Sequence, residues 1–249
     1  MKLIKILTIS LSIFGMTQVL AEEVPLCALP TAGNPNAVVD NAKIEGDQDP
    51  GCKDVITQAS TLQGKILNSK ANDPKYKVAL ENQTALPQHI KVGTVYLQPI
   101  TMSPNGFMRP RSDSDIHLEI DIHAQDNIKS SGFAPGDWLP NANITYSIQK
   151  IGESSPIACG FNNQTNKPNN ETTCTLMSMA ASDGAHYGDN VKLKGPGFYV
   201  ITFNASSNPN AFGWHTDTDS KLLSTAYVDW KFKQSYIMKW TGIGKKGGY

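Results

Sequence analysis

The 249-residue sequence has only five histidines and four cysteines, and it lacks the spacings on which many metal and hydrolytic sites depend. No C-x-x-C pair occurs, which argues against a site built from cysteine thiolates. The H-E-x-x-H helix of zinc proteases and the G-x-S-x-G turn of serine hydrolases are also missing. No cysteine accompanies the His and Met residues, as a blue-copper site would require. These absences favour a binding protein over an enzyme, and we expect no catalytic activity.

A long apolar run is missing as well. The N-terminal run from Ile6 to Phe14 is shorter than the roughly 20 residues that a membrane-spanning helix needs. Two lysines precede this run, and Val19-Leu20-Ala21 follows with residues that a signal peptidase accepts. We therefore predict a signal peptide at residues 1–21 and export to the periplasm.

The sequence has no excess of positive charge. It contains 22 basic and 22 acidic residues, and loss of two lysines with the signal peptide leaves a formal charge of −2. Proteins that bind nucleic acid neutralise phosphates with a basic surface. We therefore expect no nucleic-acid partner.

The four cysteines favour disulfides over thiolate ligands, because an exported chain leaves the reducing cytoplasm. Sequence alone permits three connectivities. We predict the pairs Cys27–Cys52 and Cys159–Cys174, since each closes a local loop rich in Asn, Gly, Pro or Asp. The segment inside the second pair has no apolar period, and it predicts a hairpin rather than a functional site.

The stretch from Asp115 to His123 alternates apolar and polar side chains at every step, which predicts a β-strand. Side chains two residues apart on a strand share a face. An ordinary solvated face would carry Thr, Ser and Lys, whereas this one carries groups that bind metals. The polar face consists of Asp115, His117, Glu119, Asp121 and His123. We therefore predict a metal-binding face on this strand.

Short apolar runs separated by Gly, Pro and Asn turns predict an all-β, immunoglobulin-like antiparallel β-sandwich at residues 91–249. The run at 197–204 suits a strand that is buried on both faces. Residues 22–90 are polar and contain one weakly helical stretch, so we predict a disulfide-stapled, partly helical N-terminal extension. The predicted strands lie at 92–98, 115–123, 141–149, 174–179, 189–194, 197–204 and 226–233.

Three more residues are candidate ligands, although Met179 taken alone is more often a core residue and His215 taken alone is more often a solvated loop residue. Met179 ends a predicted strand seven residues before His186, and His215 lies in a loop after the most apolar strand. We expect Met177 to point to the opposite face, into the core. Thioether favours Cu(I), carboxylate favours Cu(II) and imidazole tolerates both, so the set suits copper in either state. Imidazole and carboxylate also serve zinc, which these residue types leave open.

Several motifs of the chain occur together in one known family. They are Val95-Tyr96-Leu97-Gln98-Pro99-Ile100, Asp115-Ile116-His117-Leu118-Glu119-x-Asp121-Ile122-His123, Gly132-Phe133 with Trp138 and Pro140, Met177-x-Met179, Asp183-Gly184-x-His186-Tyr187-Gly188, Phe212-Gly213-Trp214-His215 and Lys245-Lys246-Gly247-Gly248-Tyr249. By these motifs the sequence resembles, over about residues 92–249, the family of periplasmic high-affinity iron-transport proteins, the FetP-like copper-binding partners of an inner-membrane iron permease. The resemblance implies copper ligands at His117, Met179, His186 and His215, with Glu119 as a ligand or near-ligand. It also implies an immunoglobulin-like sandwich, a homodimer with the metal close to its interface, and iron uptake supported by copper.

We therefore predict a non-enzymatic, periplasmic copper-binding protein of a high-affinity iron-uptake system, with Cu(I)/Cu(II) serving redox handling of iron before transfer to the permease. The alternative is a periplasmic copper chaperone or sequestration protein unrelated to iron. A further hypothesis places iron, which prefers oxygen ligands, at a second acidic site formed by Asp115, Asp121 and His123. The competing interpretation makes these three residues solvated groups or groups that orient the ligands.

Overall fold

The structure is a computed structural model in which the described residues are 23–28, 52, 54–55, 58, 83–84, 86–104, 107–125, 132–162, 164–208, 210–211 and 229–242. The predicted signal peptide at 1–21, the candidate ligand His215 and the C-terminal motif at 245–249 lie outside these residues. Within the described part of the chain, no helix is long and apolar enough to cross a membrane.

The described residues form two five-stranded antiparallel sheets and a separate two-stranded hairpin. Sheet A has the order β1-β3-β4-β10-β9, and sheet B has the order β2-β12-β11-β5-β8. The strands are β1 Val24–Pro25, β2 Cys27–Ala28, β3 Ile90–Leu97, β4 Ile116–Ala124, β5 Asn143–Lys150, β6 Phe161–Asn162, β7 Lys167–Pro168, β8 Cys174–Thr175, β9 Met177–Ala181, β10 Gly184–Val191, β11 Gly197–Ser206 and β12 Lys231–Trp240. The hairpin pairs β6 with β7.

The hydrophobic core combines the apolar faces of sheets A and B. Strand β4 contributes alternate residues that are at most 1% exposed, which follows from its strict alternation of apolar and polar side chains. Apolar residues of β5 and β11 belong to the same buried cluster. The prediction of an all-β antiparallel sandwich is confirmed. The members from these three strands include Ile116, Leu118, Ile120, Ile122, Ile144, Tyr146, Ile148, Tyr199, Ile201 and Phe203.

Four strand predictions need correction. The strand predicted at 226–233 runs from Lys231 to Trp240, and the one predicted at 174–179 is two strands, β8 and β9, which belong to different sheets. Strand β11 is not buried on both faces, because Tyr199, Ile201 and Phe203 are buried whereas the residues between them are only half-buried. The strand predicted at 189–194 begins earlier, at Gly184, and so places His186 within a strand. Its first residues have weak intrinsic β-preference, and their pairing with β9 decides their conformation, while pairing with β4 begins at Tyr187.

The N-terminal residues join both sheets. Strand β1 pairs with β3, and strand β2 pairs with β12. The described residues between 52 and 58 are helical, in agreement with a partly helical extension. Both predicted disulfides, Cys27–Cys52 and Cys159–Cys174, are confirmed, and the second closes the β6–β7 hairpin.

Candidate metal centre

Two candidate ligands lie on one face of β4. His117 and Glu119 are two residues apart, and both side chains are buried, with 0% and 5% exposure. They lie on the face of sheet A that does not point into the core, yet the loop between β3 and β4 runs across this face. The amide of Asn190 ties that loop down by hydrogen bonds to the backbone of Ile100 and Arg109.

The register of sheet A brings the other candidates to the same place. Strand β10 pairs with β4 so that Gly188 lies opposite Glu119, and it pairs with β9 so that His186 lies opposite Met179. Residues directly opposite in an antiparallel pair project from the same face of a sheet. Three adjacent strands therefore present two imidazoles, one carboxylate and one thioether on one face.

The ligand atoms of His117, Glu119 and His186 converge to within 4.8 Å of one another. Glu119 Oε1 lies 3.4 Å from His117 Nε2 and 3.3 Å from His186 Nε2. Both Nε2 atoms are buried without a hydrogen-bond partner among the described residues. A buried polar atom without a partner is costly, and a metal ion would satisfy both nitrogens at once. The donor set therefore fits a metal ion.

The tautomer of His117 follows from its contact with Asn190. The amide nitrogen of Asn190 donates to the carbonyl oxygens of Ile100 and Arg109, at 2.8 and 2.9 Å, so the orientation of this amide is fixed. Its Oδ1 atom lies 3.0 Å from His117 Nδ1. Because Oδ1 only accepts, Nδ1 carries the proton and Nε2 keeps its lone pair for a metal.

Gly188 leaves the space that the imidazole of His117 occupies. A Cβ atom built at this position would lie 2.6 Å from His117 Nε2 and 2.9 Å from Cε1. Any larger residue would therefore push the ring away from the ligand position. Gly188 gives β10 a close approach to the metal-binding face, which is a recognised use of glycine inside a strand.

The electrostatics of the site prepare it for a cation. Burial lowers the pKa of His117 to about 4 and also lowers the pKa of His186 below its usual value. Burial, together with the nearby carboxylates of Asp121, Glu23 and Asp183, raises the pKa of Glu119 to about 8. At neutral pH both imidazoles are therefore neutral, and Glu119 holds a proton that a bound cation would displace.

The site opens into a cleft of about 960 Å³. Met102 and Met177 line this cleft together with Met179 and His186. The prediction that Met177 points into the core is wrong, because residues 177 and 179 are two apart on β9 and share its face. Three methionines, rather than Met179 alone, therefore line the cleft.

The chain matches the family described as Fe2+ transport protein over residues 76–242. It belongs to this family. It is 40% identical over 168 residues to a UPF0423 protein of Brucella abortus, covering 64% of this chain and 80% of that protein. It is 32% identical over 170 residues to the 34 kDa membrane antigen of Treponema pallidum, covering 67% and 72%. A copper-bound variant of Campylobacter jejuni P19 is 33% identical with a TM-score of 0.52, covering 66% of this chain and 96% of that one.

The predicted membership of an iron-transport family is thus confirmed, but not every predicted site residue of this Fe2+ transport protein family member reaches the metal centre. Asp115 forms an ion pair with Lys192 at 3.2 Å and accepts a hydrogen bond from the Leu193 amide. It directly precedes β4 and lies six residues before Asp121, a separation of about 20 Å along an extended chain. His123 Nδ1 contacts the Gly136 carbonyl at 2.8 Å. The structure therefore does not bring Asp115, Asp121 and His123 together as a second acidic site.

Sequence reasoning missed two residues of the site in this family member. Gly188 and Asn190 follow His186 at steps of two and four along β10, so strand periodicity could have placed them on the metal-binding face. That signal was hidden because the strand was predicted to begin at residue 189. Among the His, Cys, Asp and Glu side chains of the described residues, the cluster with converging donor atoms consists of His117, Glu119 and His186.

Proposed function

We propose that this protein binds copper and serves a periplasmic high-affinity iron-uptake system. The observation that carries the proposal is the pair of buried Nε2 atoms, on His117 and His186, that face one oxygen of Glu119 at 3.3–3.4 Å. Membership of the Fe2+ transport protein family supports the iron-uptake role, and the copper-bound structures of P19 support the choice of metal.

The proposed ligands are His117, Glu119, Met179 and His186, and His215 from outside the described residues. Copper, when bound, supplies a one-electron couple between Cu(I) and Cu(II). The chain provides a donor set for both states, because thioether favours the reduced ion and carboxylate the oxidised ion. Zinc has no comparable preference for the thioether, so Met179 argues for copper over zinc.

Side chains of the protein determine how this centre would bind the metal. Neutral imidazoles keep two lone pairs available at neutral pH, and the Asn190 amide holds that of His117 in place. Glu119 would exchange its proton for a bound cation.

Iron is the cargo of the proposed system rather than a resident cofactor. We propose that the copper centre serves redox handling of iron before its transfer to an inner-membrane permease, and that the protein acts as a homodimer without enzymatic turnover of its own. The competing function is a copper chaperone or sequestration protein unrelated to iron. It predicts tight copper binding without any effect on iron uptake.

A competitive titration of the purified, metal-free protein with Cu(I), Cu(II) and Zn(II) tests the metal, with His186→Ala beside the unchanged protein. We expect copper in both states to outcompete zinc, and His186→Ala to remove most of the copper affinity. Zinc binding as tightly as copper would contradict the proposal. Growth of a deletion strain on chelated iron then separates the two functions: complementation by the unchanged protein but not by His186→Ala supports iron uptake, and equal growth without the protein contradicts it.

A further inference from the structure

We propose that the disulfide-closed Cys159–Cys174 hairpin positions the metal ligand His117 through Arg109 and Asn190. This inference extends the proposed function. Only its expected effect on copper affinity rests on that function. The chain of contacts runs from the hairpin to a buried arginine, from the loop of that arginine to a buried amide, and from the amide to the ligand.

The inner link is Asn190, which is 1% exposed and uses the full hydrogen-bonding capacity of its amide. Its oxygen meets His117 Nδ1 at 3.0 Å and the Ile100 amide at 3.1 Å. Its nitrogen donates to the carbonyls of Ile100 and Arg109. Asn190 can therefore hold the imidazole only as firmly as the loop between β3 and β4 holds Asn190.

The middle link is Arg109 in that loop, with only 4% exposure. A buried guanidinium needs partners, and the contacts of this one define where the loop lies. Its Nη1 atom pairs with Asp113 at 2.7 Å within the loop. Its Nη2 atom donates to the Gly160 carbonyl at 3.2 Å, and its guanidinium carbon lies 5.4 Å from the Phe161 ring centroid.

The outer link is the hairpin, to which Gly160 and Phe161 both belong. The disulfide and backbone hydrogen bonds from Cys159 and Gly160 to the Glu171 carbonyl close its base. A side chain at Gly160 would overlap Asn169, so the close packing here requires glycine. A rigid base presents one carbonyl and one aromatic ring to Arg109 at fixed positions, and this fixes the loop that covers the metal-binding face.

The expected effect is on the tautomer and orientation of His117. A partner on Nδ1 keeps the proton there and leaves Nε2 bare, and loss of such a partner on a metal-binding histidine typically weakens metal binding about 10- to 100-fold. Asn190, Arg109 and the hairpin are positioning elements, since none of them needs to contact the metal.

The test reads the tautomer directly in the metal-free protein, by ¹⁵N chemical shifts of the imidazole nitrogens. We expect the unchanged protein to carry its His117 proton on Nδ1. Asn190→Leu should populate the Nε2-protonated form and lower Cu(II) affinity about 10- to 100-fold. Asn190→Asp keeps an acceptor for Nδ1 and should retain the tautomer. A bare Nδ1 in the unchanged protein, or an unchanged tautomer in Asn190→Leu, would overturn the proposal.

The outer links have matched controls. Arg109→Met should shift the tautomer in the same direction as Asn190→Leu, while Arg111→Met on the exposed neighbouring 3₁₀ turn should leave it unchanged. Replacing Cys159 and Cys174 by serine should also shift it, whereas the same change at Cys27 and Cys52 should not. A wild-type spectrum for Arg109→Met or for the Cys159/Cys174 variant would remove the hairpin from the mechanism.

Circular dichroism establishes that each variant is folded before its spectrum is interpreted. If the Cys159/Cys174 variant does not fold, Phe161→Leu tests the same contact, with Lys167→Ala on the exposed part of the hairpin as its control. The tautomer is measured without metal, so failure of the copper proposal and failure of this inference give different results.

Discussion

Met179 lies directly opposite His186 in the pairing of β9 with β10. This register puts a thioether beside an imidazole on the face that also carries Glu119. A soft donor and a hard donor thus share the face of the buried His186 imidazole, and each can be removed separately.

We expect Met179→Leu to weaken Cu(I) binding more than tenfold, a loss of at least ~1.4 kcal/mol, while Cu(II) binding changes less. The reason is that leucine keeps the volume and removes the soft sulfur. Competition with Cu(I) and Cu(II) chelators of known affinity measures both constants. Met238→Leu in sheet B is the matched control, and equal losses for both copper ions at Met179→Leu would contradict the assignment.

Glu119→Gln should show the opposite selectivity. The substitution removes a carboxylate that favours Cu(II) but keeps the shape of the side chain, so Cu(II) affinity should fall more than Cu(I) affinity. The same competition experiment measures the two constants. Asp121→Asn, two residues along the same face of β4, should have a smaller effect, and a larger effect there would place the important carboxylate at Asp121 instead.

Gly188→Ala should weaken metal binding while the β-sandwich stays folded. Its Cβ would lie 2.6 Å from His117 Nε2, so the imidazole must move away from the ligand position. Overpacking of this kind costs on the order of 1–3 kcal/mol of stability. Thermal unfolding and Cu(II) titration of the same sample measure the two effects, and undiminished copper affinity would show that the space at Gly188 is not needed.

Asp189 should make the stability of the metal-free protein depend on pH. Burial raises its pKa from 3.8 to about 6, even though Tyr146 donates a hydrogen bond to it at 2.7 Å. The folded state therefore binds the proton more tightly than the unfolded state. This contribution is fully present below pH 3.8 and is lost as the pH rises through about 6, by at most about 3 kcal/mol.

Urea unfolding between pH 4 and 7 checks this expectation for the unchanged protein and for Asp189→Asn. Because Glu119 and His117 also titrate in or near this window, the unfolding free energy should still change with pH in the variant, but it should fall less than in the unchanged protein. The exposed Asp229→Asn should keep the pH dependence of the unchanged protein. A fall of equal size in Asp189→Asn would assign the pH dependence to another group.

The predictability of the site from sequence differed from strand to strand, for physical reasons. Strand β4 could be predicted because its apolar and polar side chains alternate at every step. The disulfides could be predicted because each closes a loop that has no hydrophobic core of its own. Strand β10 begins Gly-Ala-His-Tyr-Gly, which has little local β-preference, and it becomes a strand because two neighbours pair with it. The two-residue period of a strand already places Met177 on the same face as Met179, so the prediction that Met177 points into the core did not follow from the pattern.

The contacts of Asn190 had no signal in the sequence. Its partners Ile100 and Arg109 are 90 and 81 residues away, and their meeting depends on how a loop crosses the finished sheet. The same holds for the contact of Arg109 with the hairpin, 51 residues along the chain. The sequence pattern predicts strands, but it does not predict which loops pack together over long distances along the chain.

Strand β9, which carries Met179, pairs with β10 and is the edge strand of sheet A as described. An edge strand opens locally more easily than a central one, and its amide hydrogens exchange with solvent accordingly. A metal held by β4, β10 and β9 together would have to be released before β9 could open. Metal binding should therefore slow hydrogen exchange in β9 more than in the central strands. The local opening that exposes the β9 amides is then the same motion that releases the ion.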